Sequence, residues 1–149
     1  MVRAFKQRGL RVAVVKHDAH DFEIDREGKD SWRFTQAGAD VTVLSSEQKT
    51  ALQIQRSLSL QEILSMISDV DLILVEGYNQ EGLPKIGISR RATGKGFRLP
   101  LDQYLAIVTD EDLSTDLPSF SPDDIDGLAD FILSFSENTG KDGSRESFS

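Results

Sequence analysis

The sequence predicts an α/β protein whose mostly parallel sheet lies in a three-layer arrangement. Short apolar, β-branched runs alternate with helix-like segments along the whole chain, the pattern of strands joined by crossover helices. The run DLILV at Asp71–Val75 is continuously apolar, as a strand buried on both faces must be. Two polar clusters, KHDAHDFEID and EGY, come directly after apolar runs. Open α/β sheets hold their ligands there, beyond the carboxyl ends of the strands.

The elements follow in order. VRAFKQRG reads as the last turns of a helix: Val2 and Phe5 share a face, basic residues suit the C-terminal dipole, and Gly9 suits the left-handed residue after a helix. Leu10–Val15 is a buried parallel strand. Residues 16–29 are polar loop, and DSWRFTQAGA is a short helix from Asp30 to Gly38. Val41–Ser46 and Thr50–Arg56 are strands. SLQE at Ser59–Glu62 is a capping box opening the helix LQEILSMIS. DLILVEGY, Asp71–Tyr78, is the strongest strand, followed by PKIGISR at Pro84–Arg90 and, after a loop, YLAIVTD at Tyr104–Asp110. A last helix begins with Ser121 as N-cap and Pro122 in its first turn. One domain is expected over residues 1–136, with 137–149 a disordered tail of Gly, Ser and charge.

Composition excludes several classes of partner. The 149 residues hold 17 Lys and Arg against 25 Asp and Glu, a formal net charge of −8. Such a chain has no general attraction for nucleic acid or anionic lipid, so a bound phosphate needs a local pocket. No apolar run reaches membrane-spanning length. Cysteine is absent, which leaves no disulfide framework or thiolate metal site and fits a cytoplasmic protein.

Three motifs carry the candidate chemistry. A buried strand ending in acid and glycine has the form of a Walker B element: Glu76 could orient a water on Mg²⁺ beside a phosphate, and Gly77 lets backbone approach a ligand. The same ending also fits an ordinary polar turn. In KHDAHDFEIDREGKDSWRF, His17 and His20 stand among Asp18, Asp21, Glu23 and Asp25, a possible histidine–carboxylate metal site. Lys16, Lys29 and Arg33 could instead cradle a phosphate. A solvated charged loop explains the segment equally, with Trp32 and Phe34 in the core beneath the following helix. Lys85 and Arg90 flank a strand and could meet an anion or an acidic partner, or be plain surface charge. ATGKGF at Ala92 and NTGKDGS at Asn138 lack the spacing and the strand–helix context of a phosphate-binding P-loop.

In order and spacing, RGLRVAVVKHDAHDFEIDREGKDSWRFTQAGA, DLILVEGY and PKIGISR together resemble the molybdopterin-guanine dinucleotide biosynthesis protein B (MobB) family. The similarity covers all of the chain but its tail. The resemblance implies a P-loop NTPase-like, GTP-binding α/β fold, cytoplasmic and dimeric, that assists a MobA-like guanylyltransferase in joining GMP to molybdopterin. It implies GTP and Mg²⁺ as ligands. Lys16, His17, His20, Lys29, Arg33 and Gly77 would lie at the nucleotide, with Asp25, Gly28 and Asp30 lining the same crevice. Asp18 and Glu76 would hold the metal, and Lys85 and Arg90 would face the ligand or the partner. No arginine finger or water-positioning Gln is evident, so GTP hydrolysis is expected to be weak at most.

Family members open with a strand and a GxxxxGK-Thr loop. This sequence starts inside the helix that follows, so the first strand and the Walker A segment are missing from it. The expectation is impaired nucleotide binding and an open edge beside DLILV. An adapter that binds MobA or molybdopterin without enzymatic activity is then the alternative.

Overall fold

The computed structural model describes residues 1–18, 25–139 and 147–148. These form two compact units, Met1–His17 with Ile67–Ser149, and Asp18–Met66.

The first unit starts with α1, Val2–Gln7, which ends at Arg8 and turns through Gly9 at φ +81°. Phe5 on α1 is fully buried, whereas Val2 is largely exposed. Strand β1, Val12–Lys16, pairs in parallel with β4, Leu72–Glu76. The expected burial of DLILV is observed: Leu72, Ile73 and Val75 are all buried. Among the described residues β1 is an edge of this sheet, and its Val14 is exposed. The other edge of β4, expected open, carries the short parallel strand β8, Ser147–Phe148, opposite Ile73 and Leu74.

A second parallel sheet in this unit joins β5, Ile86–Ser89, to β6, Ala106–Thr109, and β6 to β7, Ser119–Phe120. Ala106, Ile107 and Val108 are buried, as the run AIV demands. Helix α4, Ile125–Thr139, lies in this unit and continues past residue 137, where composition placed the start of the tail. Leu128, Ala129 and Ile132 of α4 close one core with Ala4 and Phe5 of α1, Leu72 of β4 and Val108 of β6. Ser121 does not cap α4. It closes a turn with Asp124, whose carboxylate accepts the Gly127 N–H at 3.0 Å and so serves as the cap. Pro122 therefore lies before the helix.

The second unit holds α2, Asp30–Gln36, the strands β2, Val41–Ser45, and β3, Thr50–Ile54, and α3, Leu60–Met66. β2 and β3 pair antiparallel as a hairpin. Ser46 organises its turn, with its hydroxyl accepting the Gln48 and Lys49 N–H groups. The capping box forms as read: the Ser59 hydroxyl accepts the Glu62 N–H at 3.2 Å, and the Glu62 carboxylate accepts the Ser59 N–H at 2.8 Å. Phe34, expected in the core where the preceding segment is read as a solvated loop, is 59% exposed. Among the described residues, four of the five strand pairings are parallel, and the strands divide among three sheets.

Candidate functional site at the ends of β1 and β4

The parallel register of β1 and β4 decides which residues meet. Val12 lies opposite Leu72, and the ladder closes with Lys16 opposite Glu76. Both strands change from apolar to charged at the same row because both leave the core there. Lys16 Nζ lies 3.5 Å from Glu76 Oε1, with the side chains 59% and 69% exposed. A pair so open contributes little to stability. Either group can exchange its partner for a ligand with little loss.

The next row holds the strand ends together. The His17 N–H donates to the Glu76 carbonyl at 2.8 Å. Gly77 adopts φ +89°, and a Cβ added there would lie 3.0 Å from the Cβ of His17 and 3.2 Å from its carbonyl oxygen. Only glycine meets both the conformation and the space.

Tyr78 follows with φ +51°. A left-handed conformation costs a bulky residue about 1–2 kcal/mol. Its ring lies against the His17 imidazole, centroids 4.6 Å apart and planes tilted by 38°. The Glu81 N–H donates to the Tyr78 carbonyl at 3.0 Å, and the Lys85 ammonium donates to the carbonyls of Glu81 and Leu83. Lys85, expected to face an anion, thus ties down the loop that carries Tyr78.

Lys16, His17, Glu76 and Gly77 are brought together at this rim. Asp18 comes next in the chain and is exposed. Arg90 ends the β5 region, exposed, with its carbonyl accepting from the Thr93 N–H and hydroxyl. In the second unit Lys29 is the N-cap of α2 and Arg33 lies in its last turn, both exposed, and Arg33 stands 3.7 Å from Asp30. Asp25 accepts the Arg26 N–H through Oδ1 at 2.8 Å, while its Oδ2 is buried without a hydrogen-bond partner. His20 lies outside the described residues, as do Asp21 and Glu23. The residue that sequence reading passed over is Tyr78. Nothing local to EGY marks a tyrosine that will turn left-handed.

The sequence also matches a family model described as molybdopterin guanine dinucleotide synthesis protein B, over residues 1–110. The chain belongs to the MobB family. It is 36% identical over 141 residues to the molybdopterin-guanine dinucleotide biosynthesis adapter protein of Escherichia coli K12, covering 89% of this chain and 81% of that one. The adapter protein of Haemophilus influenzae is 37% identical over 131 residues, 84% of this chain and 72% of its own length. Among solved structures, Bacillus subtilis MobB superposes with a TM-score of 0.69 at 26% identity, covering 89% of this chain and 86% of that one. A molybdopterin-guanine biosynthesis protein B gives 0.66 at 30% identity, with 90% and 88% covered. The P-loop NTPase-like α/β fold expected from the sequence is therefore the fold of this MobB-family chain.

The rim can be tested for the ligands that such a fold implies. Among the described residues, no three His, Cys, Asp or Glu gather into a metal-holding group. Mg²⁺ keeps several waters and needs only one or two carboxylates beside phosphate oxygens. Glu76 is an exposed carboxylate that would suit such an ion, and the Lys16 ammonium beside it would suit a phosphate oxygen. Among the described residues, no helix is long and apolar enough to cross a membrane.

Proposed function

We propose that this MobB-family chain acts in molybdenum-cofactor biosynthesis as an adapter, binding GTP with Mg²⁺ at the β1–β4 rim and engaging a MobA-like guanylyltransferase. The relatives' names, adapter proteins of molybdopterin-guanine dinucleotide biosynthesis, support the pathway. The observation that carries the site is the meeting of Lys16 with Glu76, 3.5 Å apart at the carboxyl ends of two parallel strands. Lys16 would release Glu76 to pair with a phosphate oxygen. Glu76 would hold a water of the hydrated cation. Gly77 leaves room for backbone to approach the ligand, and His17 offers a ring N–H to an anionic oxygen. Bound Mg²⁺ would supply charge neutralisation at the phosphates. Hydrolysis is slow in this reading, and the working unit is a homodimer.

Titration with a fluorescent GTP analogue, with and without Mg²⁺, tests this. Binding should need Mg²⁺ and should weaken about tenfold or more in Lys16→Ala and in Glu76→Gln, as loss of one charge-assisted contact implies. Wild-type affinity in both variants would remove the rim from the site.

A second reading keeps the adapter role without the nucleotide. Glu76 already has Lys16 as its partner, and the relatives are named adapter proteins. Binding of molybdopterin or of the guanylyltransferase at full strength without GTP favours this reading.

A further inference from the structure

Tyr78 is the one residue at the rim whose backbone runs against its own chemistry. It has φ +51°, directly after Gly77 at φ +89°. Asp69 is the other non-glycine described residue with positive φ, and a short polar side chain tolerates that conformation where a bulky one does not. If the turn after β4 needed only its shape, glycine or asparagine would serve better. The loop nevertheless holds tyrosine there. The Glu81 N–H fastens its carbonyl, and Lys85 fastens Glu81 and Leu83 from behind. Strained residues persist where the surroundings over-determine them, and they concentrate at functional sites.

The strain has a visible result. It turns the Tyr78 ring onto His17, an exposed residue, with 4.6 Å between centroids. The ring therefore does not serve the core cluster of α1, α4 and β4, which does not include it. An exposed histidine at the end of a strand ordinarily samples several rotamers. A ring against one face restricts that choice and leaves the imidazole edge available to a ligand. Gly77 contributes from the other side, because its missing Cβ is what lets the His17 backbone come so close.

We infer that Tyr78 is a positioning residue, which fixes the His17 imidazole at the β1–β4 rim so that its N–H meets an anionic oxygen of a phosphate-bearing ligand. The ligand part of this inference rests on the nucleotide-binding reading. The positioning part concerns the free protein alone.

Two measurements on the 149-residue chain test it. The first is the proton resonances of the His17 ring, identified by their loss in His17→Asn. The second is affinity for the fluorescent GTP analogue with Mg²⁺. Tyr78→Asn and Tyr78→Gly both accept the left-handed conformation, so at least one is expected to fold with a melting temperature equal to or above wild type. In the folded variant the His17 ring signals should move as the ring current is lost, and GTP affinity should fall about fivefold to tenfold. Tyr78→Phe should restore both. Unmoved His17 signals in Tyr78→Asn or Tyr78→Gly overturn the inference. Moved signals with wild-type affinity overturn its ligand part. If the wild-type chain binds no GTP, the nucleotide-binding reading fails, while the ring signals still decide whether Tyr78 positions His17.

Discussion

Lys16 and Glu76 are ladder partners at the last row of β1 and β4, and their charged ends lie 3.5 Å apart in the open. The same pair can be read as a strut between strands or as two halves of a binding site. Exchanging the charges separates the two. In Lys16→Glu combined with Glu76→Lys the ion pair is rebuilt with its ends reversed. Exposed pairs contribute about 0–1 kcal/mol, so the melting temperature of the double variant should match wild type closely. Mg²⁺-dependent GTP binding should be lost, because the cation-holding carboxylate and the phosphate-holding ammonium have changed places. Retained GTP binding in the swapped protein would leave the pair a strut only.

Gly77→Ala is expected to destabilise by about 1–3 kcal/mol. Two costs add: a left-handed φ of +89° for an L side chain, and a Cβ only 3.0 Å from that of His17. The neighbour is a Cβ next to its own main chain, so it cannot swing aside as a side-chain tip would. Urea denaturation measures the loss. A variant as stable as wild type would show that β1 and β4 can part at their ends without cost.

The candidate rim was legible because its parts are local. LILV must be buried, and the charge that ends the run at Glu76 marks where the strand leaves the core. The same holds for Lys16 after VAVV. What was not legible depended on partners distant in sequence. The contact of His17 with Tyr78 needs the β1–β4 register, which alternation within either strand does not specify. The hairpin of β2 and β3 turns through Ser46–Lys49 without an Asn-Gly or Asp-Gly signal, so its antiparallel sense stayed hidden. Ser121 has the residue type of a helix cap and precedes a Pro, which is why the sequence points to it. The structure chose Asp124, whose carboxylate reaches the Gly127 N–H. Phe34 is an aromatic expected in the core but is exposed, because residue type alone does not fix which face of α2 is covered.

The capping box of α3 gives a stability prediction with a pH signature. Ser59→Ala removes the acceptor for the Glu62 N–H and should cost about 1 kcal/mol. The Glu62 carboxyl is held below its ordinary range by the Ser59 N–H, the Ser59 hydroxyl and then Arg56. Asp71 is likewise held low, by the Arg11 guanidinium and the Arg11 N–H. A depressed folded pKa means the unfolded chain binds more protons on acidification. The stabilisation from both groups is therefore complete above the ordinary carboxylate values, about pH 4, and is lost as pH falls from there through the depressed folded ones. Wild-type melting temperature should fall over that window, and Ser59→Ala should show a shallower fall. Parallel pH profiles would show that the Ser59 hydroxyl does not hold the Glu62 carboxylate in solution.

Arg8 joins the first helix to the last. Its guanidinium donates to Asp130 at 2.7 Å and to Asp126 at 3.0 Å, and also to the carbonyls of Ala4 and Asp126. Asp126 and Asp130 stand one helical turn apart on α4, so a planar fork can reach both. Lysine carries the same charge without the fork. Arg8→Lys should therefore lower the melting temperature, and Arg8→Ala should lower it further. The loss should appear at pH 7 and shrink in high salt, since the carboxylates are largely exposed and screening weakens their part of the contact. Hydrogen exchange should locate the change in α1, whose Ala4 and Phe5 share their core with Leu128, Ala129 and Ile132 of α4. If Arg8→Lys melts with wild type while Arg8→Ala does not, charge alone holds the helices and the fork contributes nothing.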